Sequence, residues 1–297
     1  MNIEHKDKIL VLGGSSCIGK SLTTFIPPEE LIQTYCKNTV IGGHYFDAYT
    51  MSLDEILQEP EVISHGIILL GDTKPDSCFG NPDSSRLLNV ESIKTILRFF
   101  ERYKIIPVFS STEVVFNGTK GNYSEMDSPG PTMLYSKQQL EVELFIQQHF
   151  EEHIILRLAL VLSDTPGDGS YLPGLLENIL NGKSIHGASD YISTPVYVAD
   201  ACEALMCLIR NKSWGVYHVS GPDIMSRLDI SNMLAETLRK HMKISSDIIP
   251  CKMADFTLKE KRPLNVSLCN KKLLKATGIT FTSVQSVCEN LVWKYNG

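Results

Sequence analysis

The sequence predicts an α/β protein, a doubly wound parallel sheet with a smaller C-terminal lobe. Three observations carry this. Short apolar runs alternate with helix-like segments through the first half of the chain, the pattern left by a parallel sheet with crossover helices. Val62–Leu70 and Ile105–Phe109 are apolar almost without interruption, as strands buried on both faces are. The first run, Lys8–Leu12, ends in a glycine turn that opens a helix, an arrangement that can hold a phosphate.

At 297 residues, 43% of them hydrophobic, the chain can bury a sizeable core in one large domain or two modest ones. The formal net charge is −6 and no basic run stands out, which argues against nucleic acid as a partner. Small anionic ligands stay open, because a few placed donors suffice for a phosphate. The 8 cysteines are scattered, with no CxxC pair and no Cys/His cluster of zinc spacing, so no metal is expected. With no secretory pattern at the start, free thiols in a reducing cytoplasm are expected. No apolar run reaches membrane-spanning length.

Taken in order, Lys8–Leu12 is the first strand, and GGSSCIG at Gly13–Gly19 turns into a helix. Gly13 permits the tight turn and Gly19 close helix–strand packing, with Ser15, Ser16, Cys17 and Ile18 between them. Ser16 stands where the usual fingerprint has its middle glycine; it narrows the approach but can donate a hydroxyl. Cys17 reads as a small space-filler. Pro27-Pro28 stops the helix. A second helix is expected over 29–36 and a second strand at Thr39–Gly42. His44, past that strand, either meets a cofactor phosphate or lies in a solvated loop. The strand 62–70 ends at Leu70 and Gly71, where a ligand loop is expected. A helix over 84–103 carries Asn89, read as a helix–loop tether, a cofactor contact, or both. The strand at 105–109 leads into the hydroxyl-rich segment Ser111–Glu125.

Leu140, Leu144 and Phe145 recur at helical spacing after Pro131 and predict a helix with one buried face and Tyr135 at its mouth. A strand follows within 152–161. Helices are expected at 175–180, 200–210, 229–242 and 271–276, with a strand at 216–219. The predicted units are a dinucleotide-binding domain, 1–165, to which 187–221 returns, and a substrate-binding lobe, 166–186 with 222–297.

Several of these motifs together resemble one family, the extended short-chain dehydrogenase/reductases, and within it the dTDP-4-dehydrorhamnose reductase group of sugar-nucleotide reductases. STEVVFNGTKGNYSE (Ser111–Glu125), Pro131 with Tyr135, LEVE (Leu140–Glu143), STPVYVAD (Ser193–Asp200), GVYHVSGP (Gly215–Pro222) and RPLNVSL (Arg262–Leu268) resemble its blocks in order. The resemblance implies a Rossmann-like fold, NADP(H) or NAD(H) as cofactor, a nucleotide sugar as substrate, and a homodimer. It implies Tyr135 as proton donor to a carbonyl oxygen and Thr112 as the second donor. Gly13, Gly19, Leu70, Gly71 and Asn89 carry over as parts of the cofactor region.

The family's lysine, four residues after the tyrosine, does not carry over. Gln139 stands there, with the register held by Pro131 and by LEVE. Lys137 is two residues from Tyr135 and points elsewhere on a helix. Gln139 can bond a ribose hydroxyl but brings no positive charge to favour tyrosinate. Two functions follow from the resemblance. One is an NAD(P)H-dependent reductase of a nucleoside-diphosphate 4-keto-6-deoxy sugar, of reduced activity. The other is a non-catalytic binding protein of the same fold, like the regulatory subunit of methionine adenosyltransferase.

Overall fold

Alternation within the first strand sets the layers of the molecule. In β1 (Lys8–Leu12), Ile9 and Val11 join the core on one side of the sheet while Leu10 and Leu12 join the core on the other. A strand sends successive side chains to opposite faces, so both faces must be covered. The computed structural model, which describes residues 7–296, shows what covers them.

After β1 come α1 (Cys17–Leu22), β2 (Leu31–Tyr35), β3 (His44–Tyr45) and β4 (Ile63–Ile68). Then follow α2 (Pro75–Gly80), α3 (Pro82–Arg86), a π-helical segment at Leu87–Ser92, α4 (Ile93–Tyr103), β5 (Ile106–Thr112) and α5 (Leu134–His149). The chain continues through β6 (Ile154–Leu158), β7 (Val161–Leu162), α6 (Tyr171–Leu180), β8 (Ile185–Ala188), β9 (Ile192–Ser193), β10 (Val196–Tyr197), α7 (Val198–Arg210) and β11 (Gly215–Val219). It closes with β12 (Met225–Ser226), α8 (Arg227–Arg239), β13 (Ile248–Cys251), α9 (Lys271–Thr277) and α10 (Val284–Asn296).

Seven strands form one sheet in the order β11-β6-β5-β4-β1-β2-β3, every neighbouring pair parallel. The doubly wound parallel sheet expected from the sequence is what the chain builds. The strand order reverses between β1 and β4, the point where open sheets of this kind hold ligands. One face is covered by α1, α7 and Leu273 of α9, the other by α4 and α5. A third core joins α6, α8 and α10 beside the sheet. Among the described residues no helix is long and apolar enough to cross a membrane.

Several expectations fail locally. Residues 29–36 hold strand β2, not a helix, and Thr39–Gly42 is not a strand; Ile41 there is fully exposed. The strand forms at LIQTY because β1 needs a partner: Ile9, Leu10 and Val11 align with Leu31, Ile32 and Gln33. Pairing decides a strand more than local propensity does. In α5, Leu144 is exposed, and the buried face carries Ser136, Gln139, Val142, Glu143 and Ile146. Leu140 and Phe145 are half-buried against neighbouring cores, and Glu143 adds an ion pair to the buried face. Helix α10 was not expected, although Val284, Val287, Cys288, Leu291 and Val292 repeat at helical spacing and are buried. Residues 1–6 and 297 of the two expected units lie outside the described residues.

Candidate active site

At the switch point the strands open onto a cleft of about 730 Å³. Its floor begins with the turn between β1 and α1. Gly13 has φ +94°, and a Cβ there would lie 3.2 Å from the Leu69 carbonyl carbon. A Cβ on Gly19 would lie 2.6 Å from the Gly13 carbonyl oxygen, so each position needs glycine. Ser16 is the N-cap of α1: its hydroxyl accepts from the Gly19 N–H at 3.0 Å and keeps its own proton to donate. Ser16, Cys17 and Ile18 line the cleft; Ser15 is half-buried in the turn. Burial and then the charge of Asp168 push the Cys17 thiol up to about 12, so it is an inert neutral group at physiological pH.

Beyond β4 the wall is made by Leu69 and Thr73, while Leu70 packs toward the core under α4 and α5. Gly71 backs onto Asn89, whose Oδ1 accepts from the Asp72 N–H at 2.8 Å. Asn89 Nδ2 donates to the Asp72 carbonyl at 2.9 Å and to Gln138 Oε1 at 3.0 Å. Gln138 in turn donates to Ser85 at 2.9 Å. Asn89, fully buried in the π-helical segment, is therefore a tether that pins the loop after β4 to α5. Local π geometry gathers at functional sites. His44 is exposed on edge strand β3.

Thr112 ends β5 and Tyr135 is the second residue of α5, so strand end and helix start bring them together across the cleft floor. Burial raises the Tyr135 phenol above its ordinary value, the Cys78 sulfur adds to this, and the facing Thr112 hydroxyl opposes it. Among the described residues no lysine or arginine pulls it down. Gln139 lies one turn on, buried, with its Oε1 lacking a hydrogen-bond partner. Gln139 is not among the residues that line the cleft. The phenol thus holds its proton at neutral pH, the form that can donate to a carbonyl oxygen.

A further turn along, Glu143 is completely buried and paired with Arg157 of β6, at 2.8 Å from Nη2 to Oε2 and 3.2 Å from Nε to each oxygen. The Ser111 hydroxyl of β5 donates to the same carboxylate. His218 of β11 sits 3.4 Å from Arg157. Burial and then Arg157 push His218 down to about 3, so it is neutral. This network joins α5 to β5, β6 and β11, and so sets Tyr135 in register with Thr112.

The opposite wall comes from beside β5 and from the C-terminal third, and sequence reasoning missed its main groups. Glu113, Tyr191 and Arg227 line the cleft. Glu113 is buried, its Oε2 without a partner, and Arg227 has a buried Nη1 in the same condition. Burial pushes Glu113 up to about 8, opposed by Arg227 and by the Leu160 N–H. The Arg227 guanidinium lies 4.4 Å from the Tyr171 ring centre and 5.2 Å from that of Tyr191. Arg262 also borders the cleft and pairs with Asp76 at 2.7 Å; Asp190 instead accepts the Met253 N–H at 2.8 Å. Glu113 stands next to Thr112 in the sequence, but only the fold reveals its burial. Among the described residues no group of His, Cys, Asp and Glu is arranged to hold a metal.

Known proteins resemble the chain over most of its length. The methionine adenosyltransferase 2 subunit beta of Danio rerio is 24% identical over 245 residues, 80% of this chain and 73% of that one. The spore coat polysaccharide biosynthesis protein SpsK of Bacillus subtilis (strain 168) is 26% identical over 213 residues, 70% of this chain and 71% of that one. The crystal structure of dTDP-4-dehydrorhamnose reductase from Bacillus anthracis str. Ames in complex with NADP superposes with a TM-score of 0.84 at 20% identity, covering 97% of this chain and 99% of that one. At that identity the likeness is one of fold. The model of the RmlD substrate binding domain matches residues 7–296, and the chain belongs to that family.

Proposed function

We propose that the protein is an NADPH-dependent reductase of a nucleoside-diphosphate 4-keto-6-deoxy sugar, working in the manner of a dTDP-4-dehydrorhamnose reductase. The observation that carries this reading is the meeting of Tyr135 and Thr112 on the floor of a cleft that begins at the Gly13–Gly19 turn. The turn and the free proton of Ser16 suit a diphosphate, and the unpartnered Oε1 of Gln139 suits a ribose hydroxyl. The dinucleotide, when bound, supplies a hydride to the carbonyl carbon. Tyr135 gives its proton to the carbonyl oxygen and Thr112 donates to the developing charge. The ketone becomes an alcohol, and Tyr135 regains its proton from solvent. Strand β2 ends at Tyr35 and is followed by Cys36, Lys37 and Asn38, without an acid. An acid there would favour NADH by binding its ribose, and a base accommodates the extra phosphate of NADPH.

Turnover of dTDP-4-dehydrorhamnose with NADPH, followed by the fall in NADPH absorbance, tests the reading. Tyr135→Phe is expected to abolish turnover and leave NADPH binding intact; unchanged turnover would overturn the mechanism. Gln139→Lys is expected to speed proton transfer by about one to three decades, because a charge within a few ångströms shifts a pKa by about 1–3 units.

A second reading rests on Gln139 and on the relatives named as subunits of methionine adenosyltransferase. It makes the chain a non-catalytic NAD(P)- or sugar-nucleotide-binding regulatory protein. Calorimetric binding of NADPH without turnover of any keto-sugar nucleotide, together with a stable protein partner on purification, would favour it.

A further inference from the structure

We propose that Glu113 and Arg227 form a subsite that holds a ring hydroxyl of the substrate's sugar, at C2 or C3. The proposal rests on the reading of the cleft as a nucleotide-sugar site and goes further by naming what selects the sugar. Two observations carry it. Glu113 is 95% withdrawn from solvent by its 5% exposure, yet its Oε2 has no hydrogen-bond partner; Nη1 of Arg227 is likewise buried and unpartnered. Both residues line the cleft that contains Tyr135 and Thr112. Among the described residues no ion pair joins the two side chains, although the Arg227 charge is felt at Glu113.

Unpaired buried polar atoms are costly, and the cost disappears when a ligand satisfies them. A hydroxyl suits this pair because it donates one hydrogen bond and accepts two. It can accept from Arg227 Nη1 while donating to an ionised Glu113, or accept from both if Glu113 is protonated. Burial holds Glu113 near 8, so both states fall within reach of ordinary pH, and a hydroxyl fits either. A methylene in that place would fit neither. Arg227 is held in position by the rings of Tyr171 and Tyr191, so its donor is aimed before the ligand arrives. In the reaction proposed above C4 carries the ketone and C6 has lost its hydroxyl, which leaves C2 and C3 to be selected.

Calorimetric titration of the full-length protein with dTDP-glucose, dTDP-2-deoxyglucose and dTDP-3-deoxyglucose tests this. The expected result is that the wild type binds one of the deoxy analogues about tenfold or more weaker than dTDP-glucose, the loss that follows from stranding a charged hydrogen-bonding group. In Glu113→Leu and Arg227→Met that difference shrinks to within about twofold, while Glu113→Gln retains part of it. Equal binding of all three ligands by the wild type overturns the subsite and leaves the nucleotide-sugar site standing. Undiminished discrimination in folded Glu113→Leu and Arg227→Met also overturns it. No binding of dTDP-glucose by the wild type removes the nucleotide-sugar reading, and the subsite with it. The comparison among ligands in the wild type needs no variant to fold.

Discussion

Gln139 and Glu143 stand one turn apart on the same buried face of α5 and are treated in opposite ways. Glu143 is fully buried and every demand of its carboxylate is met, by Arg157 and by the Ser111 hydroxyl. Gln139 is nearly as buried and its Oε1 has no partner. The same helix thus carries one polar group that closes the fold and one that the fold leaves open. Glu113 and Arg227 belong with Gln139: each has a buried atom without a partner. Tyr135, Gln139 and Glu143 lie at successive turns, so the change from open to closed happens within about 12 Å of helix. Satisfied groups hold a site in shape, and the unpartnered atoms of Gln139, Glu113 and Arg227 are the ones proposed to meet a ligand.

The largest effect expected from this contrast is at the closed end. Removing one partner of a buried ion pair strands the other charge and costs about 3–5 kcal/mol. Glu143→Ala should therefore lower the unfolding free energy by that amount, read from the midpoint of urea denaturation at constant slope. Replacing both partners, Glu143→Leu with Arg157→Met, should recover most of the loss, because an apolar pair of similar volume carries no stranded charge. If the single variant is as stable as the wild type, the network is not what fixes α5 against the sheet.

Glu113 provides the intermediate case, through pH. Its folded value near 8 lies above the ordinary 4.5, chiefly because of burial. Below about pH 4.5 the carboxyl is protonated in both folded and unfolded chains, and its contribution to stability is fully present. As pH rises toward 8 the unfolded chain ionises first, so that contribution is progressively lost. Each unit is worth about 1.4 kcal/mol, and the sum is on the order of a few kcal/mol. Glu113→Gln cannot ionise. Its stability relative to the wild type should rise from pH 5 to pH 8, measured by urea denaturation at each pH. A difference independent of pH would mean that Glu113 is already ionised in the folded protein.

The contrast also explains what the sequence disclosed. Tyr135, Thr112 and the Gly13–Gly19 turn were legible because strand, turn and helix place them by short, fixed spacings. That Gln139 stands one turn after Tyr135 was legible for the same reason, since LEVE holds its register. Arg157 as partner of Glu143 was not legible, because the pair depends on β6 lying beside β5. Of Leu140, Leu144 and Phe145, the first and last pack against the cores as suggested, while Leu144 is exposed and the polar Gln139 and Glu143 on the buried face were not anticipated. Glu113 stood in plain view beside Thr112, yet its burial comes from walls supplied by residues near 160, 191 and 227. Strand β2 was misplaced because only its pairing with β1 distinguishes LIQTY from TVIG. The helix at 284–296 followed the ordinary periodicity and could have been read directly.

The smallest effect expected is at Gln139, and its sign is what matters. In the free protein Gln139→Met removes an acceptor that is buried and unpaired, while thioether and amide side chains are of similar length. Losing an unmet hydrogen-bonding group relieves a penalty of about 1–3 kcal/mol, part of which repacking offsets. The variant should therefore be as stable as the wild type or more stable, by up to about 1 kcal/mol, and its melting temperature should not fall. The same substitution should weaken NADPH binding severalfold, because the ribose hydroxyl proposed to meet Oε1 loses its acceptor. A group retained for packing would give the opposite pair of signs, with lower stability and unchanged binding. A thermal melt and a calorimetric titration of this one variant thus separate an open position from a closed one without any knowledge of the sugar.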